Sequence, residues 1–289
     1  IGGGYANGVG ASNSGVVAGG ALNAVSASPY GAVAGGYSNT LAASSVSAIA
    51  GGEFQRISGS GFATLGAGKN NAITASDGAV IAGGEANTMT NSAYAGIGGG
   101  LANTLHGGGY SLIAGGWDNQ ITASPYAAAI GGGISNTISN SSYGFIGGGF
   151  HNQILSSSDS TVIAGGVNNK AELTSTLSFI GGGDINTIRN SSYKSVIGGG
   201  EFNTIRDDSP YSAIAGGWVN QISSGSDWSF IGGGHANTIT GTASYAAIPG
   251  GENNEVRGDY ALAAGRRAQA LHNGSFVWGD STNATVASS

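Results

Sequence analysis

Four glutamates, Glu53, Glu85, Glu201 and Glu252, each follow a glycine at the same place in a recurring phrase, on a rim shared with Lys69, Asp184 and His235. Two carboxylates roughly 5 to 10 Å apart in a groove can hydrolyse a glycosidic bond. Residues stacked on neighbouring strands lie about 4.8 Å apart, so stacking alone can produce such pairs. The residue type at this place changes from one repeat to the next, as on a solvated turn, and the chain is read as a non-enzyme. Gly66 to Asn70, "GAGKN", is similar to part of a phosphate loop. A phosphate loop, however, is used once, between a strand and a helix, and this stretch falls on the turn of a unit that returns throughout. His106, His151, His235 and His272 lie in different repeats. The Gly-Gly-x-Gly-x-Asp signature of calcium-binding β-rolls is missing too, because the turn offers Asn where that fold needs Asp. No metal and no cofactor are expected.

The elements that carry these residues follow from the repeat. "IGGGFHNQI" at Ile146 to Ile154 returns as "IGGGDINTI" at Ile180 and "IGGGHANTI" at Ile231. Indexed on the aliphatic residue before the glycines, sixteen units run from Ile1 and Val17 to Ile231 and Ile248, with a step of 16 residues up to Ile113 and mostly 17 afterwards. A glycine stands three places after the index residue in all sixteen units, and an asparagine six places after it in fifteen, Gln55 being the exception. The asparagines include Asn103, Asn119, Asn136, Asn152, Asn169, Asn186, Asn203, Asn220 and Asn237. An aliphatic residue follows eight places on, with Ala171 as the weak member, and only Gly, Ala, Ser or Thr stands two places before the index.

Spacing of two marks strands. Each unit reads as a short strand, a tight turn, a second short strand carrying the asparagine, and a looser return turn containing Ser, Asn, Asp or Pro. The expected fold is an all-β parallel β-solenoid or β-roll of about 18 coils, each of 14–17 residues. One coil buries about one aliphatic per strand, so it must stack to be stable. Asparagines stacked in a column are expected to turn inward and to pair, each amide donating to its neighbour's carbonyl.

Composition supports order without helices. Of 289 residues, 57 are Gly and 4 are Pro, and the glycines do not fall at every third place, which excludes collagen. A 40% hydrophobic content at fixed spacing disfavours disorder. Nine Lys+Arg against 15 Asp+Glu, a net charge of −6, make nucleic acid an improbable partner. The absence of Cys permits an oxidising exterior without requiring one. No apolar run approaches the roughly 20 residues of a membrane span, so this segment is expected to make no membrane contact. Ile1 falls inside a repeat, as expected of a segment of a longer polypeptide.

After Ile248 the step shortens to 14 residues. Aligning Gly265 and Gly279 with the turn glycine puts Leu262 and Phe276 at the index place, with Ala268 and then Thr282 in place of the asparagine. The stretch "YALAAGRRAQALHNGSFVWGD" resembles the 14-residue head repeat of YadA-like trimeric autotransporter adhesins in its spacing and in Gly-x-x-Ala-x-Ala. The longer units look like an expanded version found in large bacterial surface proteins and tail-fibre-like proteins. The resemblance is specific over the last 30 residues and looser elsewhere. It implies a left-handed roll assembled as a homotrimer, with a stalk or anchor beyond. Two regions are expected, residues 1–256 as the array of longer coils and residues 257–289 as the 14-residue coils that close it.

The place before the index faces away from the core and is often apolar, as at Val16, Val80, Leu112, Phe145, Val162, Phe179, Val196 and Phe230. Such a stripe suits subunit contact. The turn tips carry large apolar residues, among them Tyr37, Leu101, Ile134 and the candidate recognition residues Trp117, Phe150 and Trp218, which can stack on sugars or proteins. An outward column of Thr104, Gln120, Thr137 and Thr238 invites an ice-binding reading, which would need a second parallel column. The function expected is a structural and adhesive segment of an extracellular trimeric fibre on a bacterial surface, its partners being itself and an unknown host-cell, glycan or surface receptor. The alternative is a receptor-binding tail fibre of a phage or injection machine, and a tailspike depolymerase ranks below both.

Overall fold

The structure, a computed structural model, describes every residue except 124, 283 and 289. Among the described residues there is no helix. Contacts group into two units, Ile1–Tyr143 and Gly144–Ser289. Each is a parallel β-solenoid. In the first, two-residue strands run from Val16–Val17 to Ala129–Ile130, and a second column of three-residue strands runs from Gly8–Gly10 to Thr137–Ser139. Equivalent residues of successive coils pair in parallel, Ile97 with Ile113 and Thr88 with Thr104. The second unit repeats the plan from Phe145–Ile146 to Phe276–Gly279 and from Gln153–Leu155 to Val286–Ala287. Ile1 is 67% exposed and lies in no strand, so about 17 turns are formed.

Alternation along a strand sends one residue inward and its neighbours out. The inward residues are the index aliphatic and the one eight places on, for example Ile113 with Ile121 and Ile197 with Ile205, all buried. Each such side chain contributes roughly 1.5–3 kcal/mol. The core is therefore two aliphatic columns wide; Ala171, between Ile154 and Ile188, is the thinnest rung of the longer coils, and the 14-residue coil with Ala263 and Ala270 is thinner still.

Three corners close each coil, and many of them place residues other than glycine in the left-handed conformation. Tyr110, Asp118 and Ala123 have φ of 58, 53 and 61°, and equivalent corners elsewhere hold Ile185 at 55° and Val219 at 58°. The left-handed conformation costs an L-residue about 1–2 kcal/mol. Backbone bonds to the preceding coil offset it: Asp118 N–H donates to Leu101 O at 2.9 Å, and Val219 N–H to Glu201 O at 3.0 Å. The glycine that cannot be replaced is the one three places after the index. A Cβ on Gly116, φ 97°, would lie 2.2 Å from Gly133 O and 2.5 Å from Asn119 Nδ2.

That close approach exists because the asparagine clamps the backbone. Asn119 Nδ2 donates to Gly115 O at 3.0 Å in its own coil and to Gly133 O at 2.9 Å in the next, and its Oδ1 accepts the N–H of Asn136 at 3.0 Å. Asn203 does the same with Gly199, Gly217 and Asn220. The column is inward, as expected: Asn103, Asn119 and Asn136 in the first unit and Asn152, Asn169, Asn186, Asn203, Asn220 and Asn237 in the second are fully buried. The expected amide-to-amide bonds occur, for example Asn220 Nδ2 to Asn203 Oδ1 at 3.1 Å, but they accompany the backbone clamp and do not replace it. Gln55 holds the column through its longer side chain, accepting Asn71 N–H at 3.1 Å.

A second buried polar column was not foreseen, because its serines read as ordinary return-turn residues. Ser60 N–H donates to Ser44 Oγ at 3.0 Å and Ser76 N–H to Ser60 Oγ at 2.9 Å, with Ser209 and Ser226 repeating the pattern in the second unit. Buried hydroxyls are thereby satisfied at another corner.

The C-terminal alignment needs one correction. Gly265 does pair with Gly251, and Gly279 with Gly265, but Leu262 pairs with Ala247 and Phe276 with Leu262, so both lie in the outward column. Ala263 and Val277 are the buried residues, and Phe276 is 70% exposed. The coil has lost one residue between core and turn glycine, and a one-residue slip exchanges the faces of a strand. Ala268 does end the asparagine column, donating its N–H to Asn254 Oδ1 at 2.9 Å.

Asn152 joins Gly148 O, Gly166 O and Asn169 N–H. Asn152→Leu should cost about 1–3 kcal/mol in urea denaturation, because buried partners lose their bonds. Asn273→Leu removes one bond, the Asp259 N–H to Asn273 Oδ1 at 2.9 Å, but at an exposed corner where water can replace it, so it should cost only about 0.5 kcal/mol. Equal effects would mean that burial does not set the column's contribution.

Candidate recognition surface

The residues read as turn tips occupy a third ladder. Leu101, Trp117 and Ile134 form successive parallel bridges in the first unit, as do Phe150 with Val167, and Glu201, Trp218, His235 and Glu252, in the second. Trp117 N–H donates to Gly133 O and Trp218 N–H to Gly234 O, each at 2.9 Å. These side chains therefore stand on hydrogen-bonded rungs and not on loose turns. Trp117, Phe150 and Trp218 are 53%, 47% and 50% exposed. Trp117 lies in the first unit; in the second, Val167, Asp184 and Glu201 separate Phe150 from Trp218 along the ladder. One face of the Trp218 ring is covered by His235, at 4.6 Å between centroids and 10° between planes.

The four glutamates share this ladder. Lys69 pairs through its backbone with both Glu53 and Glu85, and its Nζ lies 3.7 Å from Glu53 Oε2. As an exposed pair it contributes at most about 1 kcal/mol. Glu252 sits between His235 Nδ1 at 3.9 Å and Arg266 Nε at 3.1 Å. Asp184 and Glu201 are neighbouring carboxylates. The histidines stay apart: His151 bonds Asn168 and His272 bonds Ser288, each at 2.9 Å. Among the described residues no three His, Asp or Glu converge as metal ligands would.

An exposed aromatic corner escaped the sequence reading. Tyr94, Tyr110, Tyr126 and Tyr143 meet rung on rung in the first unit, with centroids 5.2–5.7 Å apart and geometry passing from stacked (23°) to edge-on (66°). In the second unit Tyr211 and Trp228 lie 4.0 Å apart and 2° from parallel, and Tyr245 and Tyr260 lie 5.0 Å apart. The signal was present as an aromatic residue three or four places before the index, in "SAYAGI", "GGYSLI" and "SDWSFI". Where rings cover each other's faces, they present edges and phenol hydroxyls outward.

The outward Thr and Gln column does acquire a companion, because each second strand exposes both flanks of its buried residue: Thr88 with Thr90, Gln120 with Thr122, Thr137 with Ser139. Arg56 in the first unit, and Lys170, Glu172 and Arg189 in the second, interrupt the two columns. Charged side chains there break up the uniform lattice that the ice-binding reading requires.

Two carboxyls are perturbed. Burial first, and the nearby Asp208 charge second, raise Asp227, whose Oδ1 is buried without a hydrogen-bond partner. Hydrogen bonds from Thr282, one of them the N–H at 2.7 Å, hold Asp280 below the usual carboxylate range. No protein-family model and no curated protein matches the chain. What the surface offers is exposed rings and charges of both signs on hydrogen-bonded rungs.

Because the folded state holds the Asp227 proton more tightly than the unfolded chain does, that residue's contribution is most favourable in acid and is lost as pH rises through its raised pKa. Asp227→Asn should therefore raise the melting temperature at pH 7, and the gain should vanish below the ordinary carboxylate range. A gain independent of pH would assign the effect to packing.

Proposed function

We propose that the chain is a structural and adhesive segment of an extracellular fibre, assembled as a homotrimer, that attaches a cell to a surface or to another cell. The observation that carries this reading is the outward face of the first strand column. Val16, Val80 and Leu112 in the first unit, and Phe145, Phe179, Val196, Phe230 and Phe276 in the second, are all exposed and all on the column facing away from the core. A periodic apolar stripe of this kind is a contact surface in want of a partner. A closed ring of three identical chains satisfies it with one repeated interface. The thin two-column core supports the same conclusion, since a solenoid with so little interior gains by burying a second surface.

Recognition then falls to side chains on other faces, and the rigid rungs bearing Trp117, Phe150 and Trp218 are suited to it. Large flat rings bury much area at little entropic cost. The resemblance of the last coils to YadA-like heads supports the trimer and the adhesive role together.

Light scattering of the purified segment should give a trimeric mass. A monomeric mass at micromolar concentration with the β-sheet signal intact would overturn the assembly.

Changing Trp117, Phe150 and Trp218 together to Ser should abolish adhesion to cells or glycans while leaving the trimer and its melting temperature nearly unchanged. Loss of the trimer would instead place these rings at the subunit interface, and unaltered adhesion would place recognition elsewhere.

A further inference from the structure

The strand Phe276–Gly279 sends two aromatic side chains to one face, because residues two apart share a side. Phe276 continues the apolar stripe. Trp278 is different in its surroundings: it is 65% exposed and stands at a shallow cavity of about 380 Å³ that Glu252, Arg266, Asp280 and Ser281 also line. Pockets that hold small ligands begin at about 300 Å³, so the cavity admits a single ring and not a folded segment. Unlike Trp218, whose face is taken by His235, Trp278 has no aromatic partner among the described residues. Arg266 Nε lies within ion-pair distance of Glu252, 3.1 Å, yet makes no hydrogen bond. A flat apolar surface, a guanidinium held by charge alone and two carboxylates thus meet in one depression.

These groups define the ligand. An exposed indole offers its face to a flat apolar one, and planar carboxylate and guanidinium groups bind pairs of hydroxyls by two hydrogen bonds at once. Glu252 already has Arg266 as its counter-ion and Asp280 already accepts the Thr282 N–H, so neither carboxylate is left unpaired to draw a cation, and the one net negative charge disfavours an anion. A pyranose has an apolar C–H face, a girdle of hydroxyls and no charge.

We propose that this cavity binds a neutral sugar ring of a glycan, with the C–H face on Trp278 and the hydroxyls on Glu252, Arg266 and Asp280. The next two rungs of the ladder that carries Glu252 hold His235 and Trp218, whose faces cover each other, so an oligosaccharide lying along the rungs meets the edges of that pair. The site gives a ligand class to the adhesive reading and rests on that reading only for its biological use.

The test uses the assembled segment and a panel of neutral tetrasaccharides, maltotetraose, cellotetraose and galactose- and N-acetylglucosamine-terminated chains, with a sialylated tetrasaccharide as the anionic control. Tryptophan fluorescence and calorimetry report binding. At least one neutral member should bind, and the sialylated one should bind more weakly. Trp278→Ala and Arg266→Gln should each weaken binding by about tenfold or more, with mass and melting curve unchanged. Tyr30→Ser, in the first unit, should bind as the parent does, and Phe276→Ser should loosen the trimer before it affects sugar affinity. Failure of every neutral saccharide to bind, or full binding by Trp278→Ala, would overturn the proposal, as would loss of the trimer in Trp278→Ala, which would make this ring a subunit contact. Adhesion without saccharide binding would sink this site and spare the adhesive reading. Saccharide binding without adhesion would do the reverse.

Discussion

One side chain per coil ties the backbone of that coil to the backbone of the next, and the rest of the structure depends on it. The asparagine reaches two glycine carbonyls and one amide at 2.8–3.0 Å, as at Asn119 and Asn186. It thereby satisfies peptide groups that a two-residue strand leaves over at its corner. Buried peptide groups without partners cost more than the small aliphatic core can offset. The glycine three places after the index follows from the clamp, since a Cβ there would displace the amide. Left-handed corners such as Asp118 and Val219 are tolerable because the N–H of each is already bonded to the coil before it.

A coil built in this way has little interior and much surface. Its strands present one buried residue each, and everything else on them is outward. The apolar stripe, the aromatic corner and the ladder of charges and rings are three faces of one geometric fact, that parallel in-register stacking converts any recurrent residue into a column. A column multiplies weak contacts, which suits assembly and adhesion better than catalysis, where a few groups must converge. The exception is the stretch in which the repeat shortens. There the columns lose their regularity, and Glu252, Arg266, Trp278 and Asp280 come together from three successive rungs.

Much of this was legible in the residues. The spacing of two, the index aliphatics, the invariant glycine and the inward asparagines predict a parallel β-solenoid without helices, and each has a direct physical meaning at its place. The serine column was visible only as composition, because a serine in a return turn reads the same whether it is buried or solvated. The aromatic corner was equally available as "S-x-Y", but its rings gain meaning only when neighbouring coils bring them within 4.0–5.7 Å.

By itself, then, the sequence determined the period, the strand pairs and the contents of the core, because hydrophobic spacing and hydrogen-bond demand are local properties that repeat. Only the tertiary structure decided which face each residue of the last coils takes. Aligning Gly265 with Gly251 left Leu262 on the inside, and one residue missing from the turn moved it outside and put Ala263 in its place. A deletion in a turn is invisible to composition and yet reverses a strand, because side chains alternate with a period of two. For the same reason only the fold could bring Trp278 to the Arg266–Glu252 pair: their proximity belongs to stacked coils and to no stretch of chain.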